Sequence, residues 1–108
     1  MDTFELSNTT CKIYVARKDF PKLLTWDEAK KACSDLGEDW RLPTKEELYE
    51  IYLMQDEIGG FHLNGAYWSS TYFESDFTSY WYQYISLGDQ YPSDKDEKYY
   101  VRAVRTIL

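Results

Sequence analysis

The chain has 108 residues, 44% of them apolar, and a formal net charge of −7 from 19 acidic and 12 basic side chains. That length suits one domain, expected over 1–108, whose folding removes roughly 60–70% of the unfolded surface from water. The acidic balance lacks the basic stripe that nucleic acid or an anionic membrane requires, and no apolar run approaches the ~20 residues of a membrane span.

In chain order, Met1-Asp2-Thr3-Phe4 shows neither the charged n-region nor the apolar h-region of a signal peptide. Asn8-Thr9-Thr10 matches a glycosylation sequon, a motif short enough to recur by chance. Cys11 to Arg17 alternates as a first strand, with Ile13 and Val15 on one face, and Pro21 ends it. Thr25-Trp26-Asp27-Glu28 has the form of a capping box, in which the Thr25 hydroxyl takes a free amide and Glu28 reaches back. Trp26, Ala29, Cys33 and Leu36 then recur at helical spacing up to Gly37. Thr44-Lys45-Glu46-Glu47 opens a second helix in the same way. Leu48, Ile51, Tyr52 and Ile58 form its apolar stripe, and Gly59-Gly60 stops it. The period then changes. Tyr67–Phe73, Tyr80–Leu87 and Tyr99–Ile107 are rich in aromatic and β-branched residues and are predicted as strands. Asn64-Gly65, Gly88-Asp89 and Pro92-Ser93-Asp94 are predicted as the turns between them. A strand, two helices and an antiparallel set of strands make an α+β fold.

Two cysteines are too few for a disulfide scaffold; a Cys11–Cys33 bridge and a buried reduced thiol at Cys33 both remain open. Neither cysteine has a CxxC or Cys/His context for metal or redox work. The 11 Tyr, 4 Trp and 5 Phe amount to 19% of the chain, more rings than one modest core takes, so several tyrosines are expected on the surface.

Several blocks, taken together, carry a resemblance: Trp40-Arg41-Leu42-Pro43-Thr44 with Glu47-Leu48, Tyr67-Trp68-Ser69-Ser70-Thr71, Trp81-Tyr82, and Tyr100-Val101-Arg102-Ala103-Val104-Arg105. Over about Thr25 to Arg105 the chain resembles the bacterial domain family that includes the C-terminal domain of the collagen-like adhesin Lcl. The resemblance implies a C-type lectin-like fold, with two helices flanking a twisted antiparallel sheet and long loops on one side. It also implies a relation to formylglycine-generating enzymes and to the variable proteins of diversity-generating retroelements. A bias toward extracellular or cell-surface adhesive binding comes with it. The Glu-Pro-Asn, Gln-Pro-Asp and Trp-Asn-Asp triplets of calcium-dependent lectins are absent, and no cysteine follows Cys33, so neither inherited chemistry carries over. On the family's strand pattern Gln83 stands at a position usually apolar, which implies a buried amide in need of partners.

Little in the sequence suggests catalysis. His62 is the only histidine, which excludes HExxH and two-histidine metal sites, and it is expected as a hydrogen-bonded loop residue. No nucleophile elbow, phosphate-binding glycine loop or dinucleotide fingerprint is present. Asp94, Asp96 and Glu97 alternate with lysines and lack the glycine of a calcium loop, so a solvated charged loop is expected, with Glu74 and Asp76 near it. No metal or other cofactor is expected. Arg41, Arg102 and Arg105 are expected in ion pairs or on backbone carbonyls.

Alternation through Tyr80-Trp81-Tyr82-Gln83-Tyr84-Ile85 places Trp81, Gln83 and Ile85 on the core face and three tyrosines, about 7 Å apart, on the other. That row is open to two readings: packing beneath a loop or helix, or an exposed platform for a sugar ring or protein partner. The expected function is non-enzymatic recognition of a protein or glycan. The expected ligand-binding residues are Tyr80, Tyr82 and Tyr84, with Tyr72, Glu74, Asp76, Tyr91, Asp94 and Asp96 from loops predicted over 72–79 and 89–98. The competing expectations are an assembly module whose aromatic face joins subunits, and a retroelement-diversified binding protein.

Overall fold

The computed structural model describes residues 3–6 and 12–107. The elements are β1 (Thr3–Leu6), β2 (Lys12–Ala16), α1 (Trp26–Asp35), β3 (Trp40–Arg41), α2 (Lys45–Leu53), α3 (Gln55–Ile58), β4 (Ala66–Phe73), β5 (Asp76–Tyr84), β6 (Gln90–Asp94) and β7 (Val104–Ile107). They form two antiparallel sheets, one in the order β1-β2-β7-β3 and one in the order β4-β5-β6. In the first, Val15 pairs with Phe4 on one side and Val104 on the other. Leu6, Ile13, Val15 and Val104 then share a core with Leu48, Ile51 and Ile58 of the helices and with Tyr67 and Ile85 of the second sheet. A second core gathers Trp26, Ala29 and Cys33 of α1 with Leu42, Trp68, Val101 and Ala103.

Both predicted capping boxes form. Thr25 accepts the Glu28 amide while Glu28 accepts the Thr25 amide at 3.0 Å. Thr44 and Glu47 repeat the exchange at 3.1 and 2.8 Å, and here Glu47 serves a second purpose. Its carboxylate takes both Arg41 nitrogens, at 2.7 and 2.9 Å, so one side chain caps α2 and ties it to β3. The Cys33 thiol is free and buried, and burial pushes its pKa up to about 12. Cys11 and the Asn8-Thr9-Thr10 sequon lie outside the described residues.

Six sequence expectations are corrected. The short strands β1 and β3 were not predicted. The second helix does not run unbroken to Ile58. It stops at Leu53, and Met54 leaves helical geometry at φ −107 and ψ 14. Gln55 Nε2 takes the Tyr52 carbonyl near the break and the Ile85 carbonyl of the neighbouring sheet, both at 3.0 Å. Strand β5 starts at Asp76 rather than Tyr80 and ends at Tyr84 rather than Leu87. Pro92-Ser93-Asp94 is not a turn but part of β6, where Pro92 stands opposite Trp81 on an outer strand that tolerates proline. The last strand is limited to Val104–Ile107, because Tyr99 and Tyr100 make only single bridges, to Leu24 and Tyr67. Trp81 is half-buried rather than in the core. Helix α2 begins at Lys45, so the Lys45 ammonium, 4.2 Å from the ring centre, covers the indole in place of an apolar side chain.

Glu47 gives the fold a measurable acid dependence. Burial opposes its charge, but the Arg41 and Thr44 donors outweigh burial and hold the carboxyl below the usual range. A depressed pKa adds stability above the unfolded value and loses it as pH falls through the folded one. Glu47→Gln is therefore expected to cost about 1–2 kcal/mol at pH 7, and less at pH 3, in urea unfolding. An equal cost at both pH values would refute the assignment.

Candidate functional site

The second sheet has two unlike faces. On one, α2 packs over Tyr67, Gln83 and Ile85. The amide of Gln83, 1% exposed, finds the partners its burial demands: Nε2 donates to the Leu48 carbonyl at 2.8 Å, and Oε1 accepts from Gln90 at 2.7 Å. The other face carries Trp68, Tyr80, Tyr82, Tyr84 and Tyr91, set side by side by the pairings Trp68↔Tyr82 and Tyr82↔Tyr91.

The tyrosine row combines both readings drawn from the sequence. At one end Tyr80 lies flat against Trp26, with ring centres 3.7 Å apart. Tyr82 stacks on Tyr99 at 4.3 Å, and Tyr99 in turn meets the edge of Trp68. Tyr84 and Tyr91 lie beyond this cover, 38% and 48% exposed, each in ring contact with Tyr82 and with each other at 5.6–6.3 Å. Burial and neighbouring phenols raise the pKa of Tyr82, so its hydroxyl stays protonated. The open tyrosines thus stand on a stacked aromatic base, which limits their rotamers before any ligand arrives.

The acidic candidates lie toward the opposite end of the sheet. Glu74 falls in the β4–β5 turn, and Asp76 and Asp94 both flank Ser79, through a 3.1 Å hydrogen bond and through strand pairing. The Asp76 carboxylate accepts the Thr78 amide and hydroxyl, which lower its pKa. Asp94 accepts the Asp96 amide at 2.9 Å. Local turns thus occupy these carboxylates, and no group of three or more His, Cys, Asp or Glu among the described residues is placed to hold a metal ion. Tyr72, opposite Tyr80 and 52% exposed, lies between the tyrosines and the acidic end. The expected loop 72–79 is mostly hairpin strand and the expected loop 89–98 is strand over Gln90–Asp94, while Glu74 and Asp96 stand in turns.

A third cluster centres on Asp19, which the sequence did not single out. Its carboxylate, 5% exposed, accepts Arg102 Nε at 2.8 Å, the Tyr67 hydroxyl at 2.6 Å and His62 Nδ1 at 2.8 Å. Arg102 is fully buried. Its Nη1 donates to the Ala16 and Gly59 carbonyls, and its guanidinium lies 3.9 Å over the Phe61 ring. Arg102 and Arg41 thus meet the expectation of ion pairs and carbonyl contacts. Arg105 makes no ion pair among the described residues, and its Nε is buried without a partner. His62 stacks on Tyr100 at 3.9 Å and has the expected character of a hydrogen-bonded loop residue. An Asp–His pair can orient a general base, but among the described residues no serine, threonine or cysteine side chain is bonded to His62.

A family model, that of the Lcl C-terminal domain, matches residues 5–105, nearly the whole chain. The chain belongs to the Lcl C-terminal domain family. Among solved structures it is similar to botrocetin, with a TM-score of 0.63 at 10% identity over 95% of this chain and 96% of that one. The fold is therefore C-type lectin-like, as the sequence blocks implied. No curated protein matches the chain in sequence.

The structure gives this Lcl-type chain's blocks physical work. Arg41 and Glu47 of the first join β3 to α2, Trp68 and Ser69 of the second accept Tyr99 and the Trp26 indole N–H, and Arg102 of the last holds Asp19. Asp19 itself has no motif around it, and the only signal for it was the need of a buried arginine for a carboxylate. Asp19→Ala would strand the Arg102 charge, and about 3–5 kcal/mol of stability should be lost in chemical denaturation. A loss under 1 kcal/mol would mean that Arg102 finds other partners.

Proposed function

We propose that this domain is a non-enzymatic recognition module of the adhesion type that binds a protein or glycan surface. The observation that carries the reading is the pair Tyr84 and Tyr91, presented open on the sheet and braced by the Tyr82–Tyr99 stack. A preformed aromatic surface binds without first ordering its side chains, and tyrosine adds a hydroxyl for polar contacts. Tyr72 and Tyr80 extend the surface, and Glu74, Asp76, Asp94 and Asp96 give it an acidic margin. Membership in the Lcl C-terminal domain family supports both a binding role and a cell-surface or extracellular setting. The lectin triplets are absent, so the binding we propose uses no calcium.

The double variant Tyr84→Ala/Tyr91→Ala tests this on a glycan array and in affinity capture from cell-surface extracts. Both rings are partly exposed, so unfolding stability should change by less than about 1 kcal/mol. Binding should fall by about tenfold or more, since anchor aromatics carry 2 kcal/mol or so each. Undiminished binding by a folded double variant would refute this placement. The competing assembly reading has a distinct signature: sedimentation would show a stable dimer that the same substitutions dissociate.

A further inference from the structure

A pocket of about 550 Å³ opens on another part of the molecule and shares no residue with the tyrosine face. It lies where the segment after β2, the C-terminus of α1, the α3 exit at Gly59-Gly60, and Ala103 converge. Its volume falls within the range of small-molecule sites. Ile58, Ala103, Leu36 and Phe20 give it a largely apolar wall. Gly60 completes the wall at φ +81, and a Cβ there would come within 2.5 Å of the Arg17 carbonyl, so the chain keeps a bare backbone at this point.

The charges around this wall are not balanced. Asp19, the one acidic lining residue, is neutralised by Arg102. The last carbonyls of α3 are also taken: Arg17 Nη1 donates to Glu57 and Ile58, and Arg102 Nη1 to Gly59, so the helix end offers little for a cation. Lys18 remains. It is exposed, lines the pocket and makes no ion pair among the described residues. One further donor, Arg102 Nη2, is buried without a partner among the described residues, 3.1 Å from the Cβ position of Gly60. The cavity is largely apolar, and its two lining cations, Arg17 and Lys18, outnumber the one lining carboxylate, which Arg102 already pairs, so it suits a ligand with a hydrocarbon or aromatic body and one negative end.

We propose that this pocket binds a small amphipathic carboxylate, its body on Ile58, Leu36 and Ala103 and its carboxylate at Lys18. The site is independent of the tyrosine reading, and either can fail alone. The test titrates octanoate into the ¹⁵N-labelled domain and follows amide shifts. Saturable shifts are expected at Ala16 to Phe20, at Gly59 and Gly60, and at Ala103. Acetate, which lacks the body, and octylammonium, which reverses the charge, should each bind more weakly. Lys18→Glu changes an exposed side chain and should leave the fold intact while weakening octanoate roughly threefold to tenfold, the scale of a rim ion pair reversed in sign. The proposal is overturned if octanoate moves no amides in this set, if octylammonium binds as well as octanoate, or if Lys18→Glu binds octanoate unchanged.

Discussion

The buried pair of Asp19 and Arg102 is the constraint from which much of the rest follows. A fully buried guanidinium is costly unless a carboxylate and further acceptors meet it. Here Asp19 meets it from the segment after β2, Ala16 from the strand itself and Gly59 from the exit of α3. Two stretches distant in sequence, Ala16 to Asp19 and Gly59, are pinned to one side chain, and Asp19 passes the constraint on through Tyr67 to β4. Tyr67 donates its hydroxyl to Asp19 and accepts the His62 amide, so the loop into β4 hangs on the same point. Replacing one partner would expose the cost of all of them at once.

The second sheet rests on this frame through interactions of a different kind. Polar side chains cross between layers at a few points: Gln83 to α2, the Trp26 indole to Ser69, and Arg41 to Glu47. Between them the contacts are aromatic. Trp26 with Tyr80, and Tyr82 with Tyr99 and Trp68, meet ring to ring over a few aliphatic side chains such as Leu42 and Val101, so rings supply much of this core's bulk. Most of the tyrosine excess is structural. Within the row of Tyr80, Tyr82 and Tyr84 only Tyr84 is left open, and Tyr91 and Tyr72 on the neighbouring strands are open with it.

What could be read from sequence was local. Thr25 with Glu28 and Thr44 with Glu47 announce their helices because a capping box is complete within four residues. The shift to alternating aromatics after Gly65 announced the strands for the same reason. Partners fixed by the tertiary fold were out of reach. Nothing near Asp19 marks it as the counter-ion of a residue 83 positions away. Trp81 looked like core because alternation assigns it a face but cannot say where the covering helix begins. β6 read as a turn because Pro92 argues against a strand unless its place at the margin of the sheet is already known. The family blocks supplied the fold; the open tyrosines Tyr72, Tyr84 and Tyr91 are not among them.

Pro92 also restricts how a partner can approach. It sits mid-strand in β6, the outermost strand of the tyrosine sheet, with a ring nitrogen that has no hydrogen to give. An incoming extended peptide would find its ladder interrupted at the centre, so lengthening the sheet by another strand is disfavoured both for ligands and for second copies of the chain. A partner of this sheet must therefore be met by side chains on its face rather than by backbone at its rim, and main-chain pairing, which accepts many sequences alike, gives way to contacts that discriminate by shape.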